Sequence, residues 1–457
     1  MSTQPPIIVV GGGWAGLAAA VALSRYDIPV TLLESAKQLG GRARRVQFGA
    51  NNSDERLAGN SKHYGIDNGQ HLLVGAYDST LSLMHTVGVD EGQVLRRKDL
   101  ALNIFTPRAR PIHFKTGKAP APLNLLLGLI GARGLPLRDR IRAIQFCQAL
   151  AKQNFTLPHD ETCLSLFRRY HQSDKLIKSL WEPLCLATLN THINEASALI
   201  FLRTLRETFA YSRQNSNLLF TATDLGRLFP DPALDFIERN RGSIKLGQRV
   251  TGVQISDNTI TAASTDTDNY PGAHIILATP YYVTEQLIGK VDTLKPLADQ
   301  LGQFDSNPIV TVYLQYPEHV TLGREMIGMV DTTSQWILDR KLCDQPGLLS
   351  VVISGSGPHM DMDNDALTQR VSDEIAQQFP QWPAPERSMV IREKRATFHC
   401  CTGINDIRPG NRTAVEGLWL AGDYTDTGLP ATLESAVRSG IRCAKGIRDQ
   451  LALAPQN

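Results

Sequence analysis

Short, wholly apolar runs recur along this chain. Ile7–Val10 (IIVV) has no polar position, which is the pattern of a parallel strand buried on both faces. Residues 29–33 (PVTLL), 274–280 (HIILATP) and 417–421 (GLWLA) read the same way and lie far apart in sequence. Residues 309–313 and 348–353 are further strand candidates. Residues 242–255 (GSIKLGQRVTGVQI) read as hairpin-like, with Val250 at the centre. In contrast, Leu164, Phe167, Leu176, Ile177 and Leu180 recur near helical spacing, and the stretch around them reads as helix-rich.

The residues directly after the first run give it chemical meaning. Gly11-x-Gly13-x-x-Gly16 comes at once, and residues 17–23 continue as an alanine-rich helix. The first glycine permits a tight turn, the second lets backbone approach a pyrophosphate, and the third lets helix and strand pack closely. The helix start around Trp14 and Ala15 then offers free N–H groups and a positive dipole end to phosphates. The second strand ends in Glu34, 18 residues past Gly16, close to the spacing of a carboxylate that binds ribose hydroxyls and repels a 2′-phosphate. Leu39-Gly40-Gly41-Arg42 suits a loop passing a diphosphate. At the far end, Gly422-Asp423 closes the last apolar run, with Asp423 placed to accept from a ribityl chain. Pro430-Ala431-Thr432 opens a helix from Leu433, whose N-terminus would favour negative charge on a reduced flavin. Together these motifs predict noncovalent FAD. No second GxGxxG occurs, so electrons for a reductive reaction would come from an external donor or reductase.

The bulk numbers narrow the picture without changing it. A chain of 457 residues exceeds one core, so two intertwined domains are expected. A net charge of +2, from 47 basic and 45 acidic residues, gives no reason to propose nucleic acid. The seven cysteines (147, 163, 185, 343, 400, 401 and 443) form no CxxC pair, which argues against a disulfide framework or zinc and for a reducing cytoplasm. The start of the chain does not read as a signal peptide, and no run reaches the ~18 apolar residues that span a bilayer. Residues 123–130 (LNLLLGLI), followed by Arg133, Arg138, Arg140 and Arg142, admit two readings. One is a buried helix with a solvated basic end. The other is peripheral contact with an anionic membrane at its cytoplasmic face.

These elements resemble the flavin amine oxidase and phytoene desaturase superfamily. Within it, the chain is most similar to the bacterial hydroxysqualene dehydroxylases. The resemblance rests on residues 67–77 (DNGQHLLVGAY), 181–191 (WEPLCLATLNT), 228–230 (LFP), 393–398 (EKRATF) and 421–440 (AGDYTDTGLPATLESAVRSG), and spans nearly the whole chain. The second and last of these stretches are the specific part. Residues 51–63 read as a polar loop without function.

The resemblance implies an α/β fold: a Rossmann-like FAD-binding domain of amine-oxidase type, interleaved with an α+β substrate-binding domain. The FAD segments would be 1–110, 235–295 and 400–457, and the substrate segments 111–234 and 296–399. It also implies the reaction. The allylic hydroxyl of hydroxysqualene is protonated and leaves as water, and reduced flavin N5 delivers hydride, giving squalene and oxidised FAD. Such a cation must be shielded from water. The cofactor residues would be Gly11, Gly13, Trp14, Ala15, Gly16, Glu34, Gly41, Arg42, Gly69, Gln70, Val250, Gly422, Asp423, Thr432 and Leu433. His71, which ends the DNGQH motif, would be the proton donor or else a cofactor hydrogen-bonding group. Asp67 would fix its loop. Glu182 and Asn190 would line the substrate pocket or pack a helix. The superfamily leaves two alternatives open: an oxidative carotenoid-type desaturase or amine oxidase, and a prenyl-protein escort lacking FAD. Residues 361–365 (DMDND) lack the glycine and glutamate of a calcium loop and read as a helix cap. No zinc-protease or Walker sequence occurs.

Overall fold

The computed structural model describes residues 6–48, 65–106 and 109–453. The polar loop at 51–63 lies outside them. Five parallel strands build the first sheet, in the order Ser243–Leu246, Val30–Glu34, Ile7–Val10, Ile275–Leu277, Leu418–Leu420. Ile8 pairs with Thr31 on one side and Ile275 on the other, and Ile275 pairs onward with Leu418. The three central and far strands, Ile7–Val10, Ile275–Leu277 and Leu418–Leu420, are buried throughout and wholly apolar, whereas the edge strand Ser243–Leu246 is largely exposed and carries Lys245.

The alanine-rich helix Trp14–Ser24 is buried along all 11 of its residues. Small side chains are what let its neighbours approach so closely. The C-terminal helix Leu433–Leu453 crosses it at Gly440, where an added Cβ would lie 2.2 Å from the Ala15 carbonyl oxygen and 3.1 Å from Ala18 Cβ. Glu434 fixes the same helix to a third one. Its carboxylate accepts from Thr80 N (2.9 Å), Thr80 Oγ1 (2.7 Å) and Ser79 N (3.1 Å), capping the helix Asp78–Thr86.

A seven-stranded sheet forms the second layer. Its order is Arg387–Phe398, Ser306–Gln315, Leu348–Ser354, Trp336–Asp339, Met326–Met329, Ala101–Thr106, Ala109–Lys115. The helix Asn364–Gln378 packs Leu367, Val371 and Ile375 against one face. Asp363 caps that helix by accepting from Ala366 N at 2.7 Å, as the sequence suggests for the DMDND stretch. The hairpin 101–115 joins this sheet through parallel pairing of Gly328 with Ile104. Residues 101–106 thus stand in the seven-stranded sheet, whereas the resemblance implies an FAD segment running to residue 110.

One further expectation needs correction. Residues 242–255 are not a hairpin: Ser243–Leu246 extends the parallel sheet, and Val250–Ser256 pairs with Thr259–Thr265. The helix-rich stretch around 164–180 is built of several short helical pieces. Cys163–Arg169 ends before His171 in the left-handed region (φ 54°), and the chain resumes at Asp174. A π-turn at Ile177–Trp181 then leads into the helix Glu182–Leu189. Pro183 explains that turn: it lacks an N–H and its ring crowds the carbonyl four residues back, so the helix widens.

The contact between Gly440 and Ala15 generates a direct test. Gly440→Val should cost at least about 1–3 kcal/mol, because the obstacle is backbone rather than a movable side chain. Gly410→Ala, where no atom lies within 4 Å of the added Cβ, should be neutral. Thermal melts of the two variants check the contrast.

Candidate functional site

The carboxyl ends of the first two strands and of the last one converge on one cleft. Gly11 leaves the first strand at φ 109°, and a Cβ there would strike the Ala278 carbonyl oxygen at 2.6 Å. Gly16 is held tighter still, with a hypothetical Cβ 1.9 Å from the Gly11 oxygen, so the helix presses onto the turn. Gly13 is different. Its added Cβ would meet nothing closer than Gly41 Cα at 3.9 Å. The first and third glycines are required by protein packing, whereas the second borders open space at the start of the helix. No side chain caps that helix start, and its first turn carries no acid. That combination fits a diphosphate laid against the N–H groups of Trp14, Ala15 and Gly16.

Trp14 contributes backbone only. Its indole points inward, donating to the Ala43 carbonyl at 3.0 Å and packing 5.0 Å from the Phe229 ring. Glu34 is buried at the end of the second strand. One carboxylate oxygen accepts from Gly12 N (2.6 Å), the other from Ala36 N (2.6 Å) and Ser35 Oγ (3.1 Å). It ties the glycine turn to its own strand. Val250 is brought alongside by the bond from Gln248 N to the Glu34 carbonyl oxygen, 2.8 Å long.

The two chain ends meet at the opposite side of the turn. Gly40 N donates to the Gly12 oxygen at 2.9 Å, and Gly41 sits in the left-handed region (φ 59°). Arg42 then reaches Asp423 with Nη2 to Oδ1 at 2.6 Å, and its Nη1 donates to the Ala396 carbonyl at 2.8 Å. Gly422 N is held by Ser439 Oγ (2.9 Å) on the C-terminal helix. Thr432 Oγ1 accepts from Ser435 N at 3.1 Å, so Thr432 caps that helix while Leu433 opens it. Arg408 was not visible as a site residue, yet it shapes this loop. Its guanidinium donates to the carbonyls of Asp423, Tyr424, Thr425 and Leu429.

The DNGQH stretch closes the cleft from the seven-stranded sheet. Asp67 is fully buried, accepts from Leu225 N at 2.8 Å and faces Arg340 at 3.6 Å. Burial pushes the Asp67 carboxyl above its ordinary range, against the pull of Arg340. Tyr313 donates to the Asp67 carbonyl at 2.9 Å. Gln70 is occupied on the protein side: its Oε1 takes Ser350 Oγ (3.1 Å) and Arg340, and its Nε2 donates to the His71 carbonyl (3.1 Å). Asn68 donates to Glu393 at 3.1 Å. Gly69 keeps its α-carbon open, with only Thr311 Oγ1 at 3.7 Å from an added Cβ. Nothing in the sequence pattern marks Arg340, Tyr313 or Arg408, because each acts on partners more than ten residues away. A fully buried arginine has no local signature.

His71 Nδ1 lies 2.6 Å from the Gly69 carbonyl oxygen, so Nδ1 carries the proton and Nε2 is bare when the ring is neutral. Burial lowers its pKa below the usual histidine range, and the bond to Gly69 and the nearby Asp67 only partly offset this.

The expected pocket residues divide. Glu182 is half-buried, and burial raises its pKa while His192 and Lys178 lower it. Asn190 has its polar groups engaged within the protein. Its Oδ1 accepts from Gly355 N (2.7 Å), and its Nδ2 donates to Thr397 Oγ1 (2.9 Å) and the Pro308 carbonyl (3.2 Å). Both amide protons are spent, so Asn190 bolts the helix layer to the sheet instead of lining a pocket.

Residues 14–448 match the family of flavin containing amine oxidoreductases. A hydroxysqualene dehydroxylase from Zymomonas mobilis is 27% identical over 448 residues, covering 95% of this chain and 97% of that protein. A probable zeta-carotene desaturase from Synechococcus elongatus is 23% identical and covers 98% of this chain and 99% of its own length. Among solved structures, the cyclohexylamine oxidase of Brevibacterium oxydans superposes with a TM-score of 0.72 at 16% identity, over 98% of this chain and all of its own. The fold is therefore that of the flavin amine oxidases, and the cradle at Gly13, Glu34 and Asp423 is suited to FAD. The chain belongs to the flavin containing amine oxidoreductase family and is an FAD-dependent oxidoreductase.

Proposed function

We propose that this protein reduces hydroxysqualene to squalene, releasing the allylic hydroxyl as water. The observation that carries this reading is the similarity, along nearly the whole chain, to the Zymomonas mobilis protein of that name. Reduced FAD, when bound, supplies the hydride. The chain's own residues bind, orient and protonate. Glu34 and Val250 hold the ribose and adenine end, the glycine turn holds the diphosphate, and Asp423 and the start of the C-terminal helix hold the flavin end. The Asp67–Arg340–Gln70 network fixes the stretch that presents His71. An apolar substrate, once seated, excludes the water that would recapture an allylic cation.

His71 is the proposed proton donor, acting through Nε2 in its protonated form. Its lowered pKa makes the imidazolium scarce at neutral pH but strongly acidic when formed. The electron donor is a separate protein or small reductant, since the chain has no second glycine-rich nucleotide motif. A substrate this apolar resides in a bilayer, so the protein collects it at a membrane surface on the cytoplasmic side. A second reading, oxidative desaturation, is favoured by the similarity to the Synechococcus elongatus protein. It reverses the direction of hydride transfer.

The two readings separate in one experiment. Photoreduced protein mixed anaerobically with hydroxysqualene should reoxidise its flavin and yield squalene. If the flavin stays reduced, and oxidised protein is instead bleached by a polyene precursor, desaturation is the activity.

His71→Gln should lower the rate of that reoxidation by about 10²–10⁴-fold while leaving the bound-flavin spectrum intact. In the wild type the rate should fall as pH rises, because the protonated ring is the active form, with a midpoint below the ordinary histidine value. The limb should vanish in the variant. A limb that survives places the proton elsewhere.

Gly13→Val should fold yet emerge without yellow colour, because the new side chain occupies space that no protein atom claims. Circular dichroism together with visible absorbance checks both halves.

A further inference from the structure

We infer that the helix pair Leu123–Gly131 and Leu137–Lys152 forms a docking face for an anionic lipid bilayer. This rests on the proposed apolar substrate and goes further, assigning the surface and the forces that seat it.

Large exposed apolar side chains are concentrated here. Among the described residues, eight large hydrophobic side chains are exposed, and six of them are Leu123, Leu127, Ile130, Leu137, Ile141 and Tyr211. Leu137 is 70% exposed, and Ile130 and Tyr211 are each 57% exposed. Leu123, Leu127 and Ile130 follow helical spacing, so they share one outward face. The inward face is fixed. Gly128 sits against the Phe114 ring, where an added Cβ would be 2.9 Å away, and Asn124 donates to Ser216 Oγ at 3.2 Å. The second helix is tied to the first by Arg140, whose Nη1 donates to the Ile130 carbonyl at 3.0 Å. The apolar face is therefore a rigid outer surface, not a frayed segment.

Charge selects the occupant. Residues 110–152 contain eight lysines and arginines and a single acid, Asp139, in a chain whose net charge is only +2. Asp139 is buried and accepts from Ser173 Oγ at 2.8 Å, so it does not dilute the surface charge. Arg133 and Arg138 are exposed beside the apolar side chains. Apolar residues ringed by cations match the acyl boundary and headgroups of an anionic leaflet. Directly behind the face lies an apolar cavity of about 370 Å³, lined by Leu125, Leu129, Phe114, Leu150 and Trp181. Exposed Tyr211 also lines it, so the cavity reaches the surface at the same patch.

Vesicle co-sedimentation of the FAD-loaded protein tests this without any turnover. Wild type should pellet with phosphatidylcholine vesicles containing phosphatidylglycerol. It should pellet weakly with pure phosphatidylcholine, or with the anionic vesicles in high salt. The double variants L127E/L137E and R133E/R138E should each bind the anionic vesicles at least about tenfold more weakly. Both should keep their bound-flavin spectrum, which separates a lost surface from a lost fold. Three results would overturn the proposal: wild type remaining in the supernatant with both vesicle types, L127E/L137E pelleting like wild type, or a wild-type dimer that L127E/L137E splits, which would show that a second copy covers the face. Because no substrate is present, failure here leaves the dehydroxylation reading standing, and failure of that reading leaves vesicle binding untouched.

Discussion

Everything in this molecule depends on the first strand finding parallel neighbours on both sides. Ile7–Val10 has no polar position to show to water, and it gains its partners from Val30–Glu34 and, some 265 residues later, from Ile275–Leu277. Parallel sheets are stable only with both faces covered. The alanine-rich helix covers one, and it is sealed by a helix at the far end of the chain through the Gly440 contact. The cofactor cradle is a by-product of this closure. Strand ends that must lie side by side for packing reasons also bring Gly13, Glu34 and Asp423 to one cleft, and the Arg42–Asp423 pair then latches the front of the chain to its back.

How much was legible in the sequence depends on the range of each interaction. The glycine turn, the acid at the second strand's end and the apolar strands are local patterns, fixed by φ angles and burial within a few residues, and they could be read directly. The capping role of Asp363 is equally local. The buried Asp67–Arg340 pair was not legible. It joins residues 273 positions apart, and neither sits in a pattern that betrays burial of a charge. Asn190 stood between pocket lining and helix packing for the same reason. The partners that engage it, at 308, 355 and 397, come from other segments. The boundary near residue 110 that the resemblance implies falls inside the hairpin 101–115, whose local pattern does not say which sheet it joins. Only the pairing of Ile104 with Gly328 assigns it.

The cost of burying Asp67 and Arg340 indicates what the pair is for. Two charges taken from water at a 3.6 Å separation gain little net stability, and well-packed apolar residues would serve the core as well. What an apolar replacement could not do is aim. Arg340 holds Gln70, and Asp67 holds the backbone at Leu225 and receives Tyr313 at its carbonyl, so residues 67–71 are tied down from three other segments. The open α-carbon of Gly69 and the bare Nε2 of His71 are thereby presented from a rigid wall. Preorganisation of this kind favours a reaction whose success depends on holding a cation near a hydride source and away from water.

Charge is also distributed unevenly across the whole molecule. With eight bases against one acid between residues 110 and 152, the remainder of the chain must carry a net charge of −5 to reach the total of +2. The basic excess is therefore concentrated on the arginine-flanked helices. In the proposed docking, that excess would draw these helices toward an anionic surface before contact. Orientation would then come from long-range electrostatics and retention from the apolar side chains, two forces with different salt dependence acting on the same face. The near-neutral total conceals this arrangement entirely, which is why net charge alone gave no hint of a surface to bind.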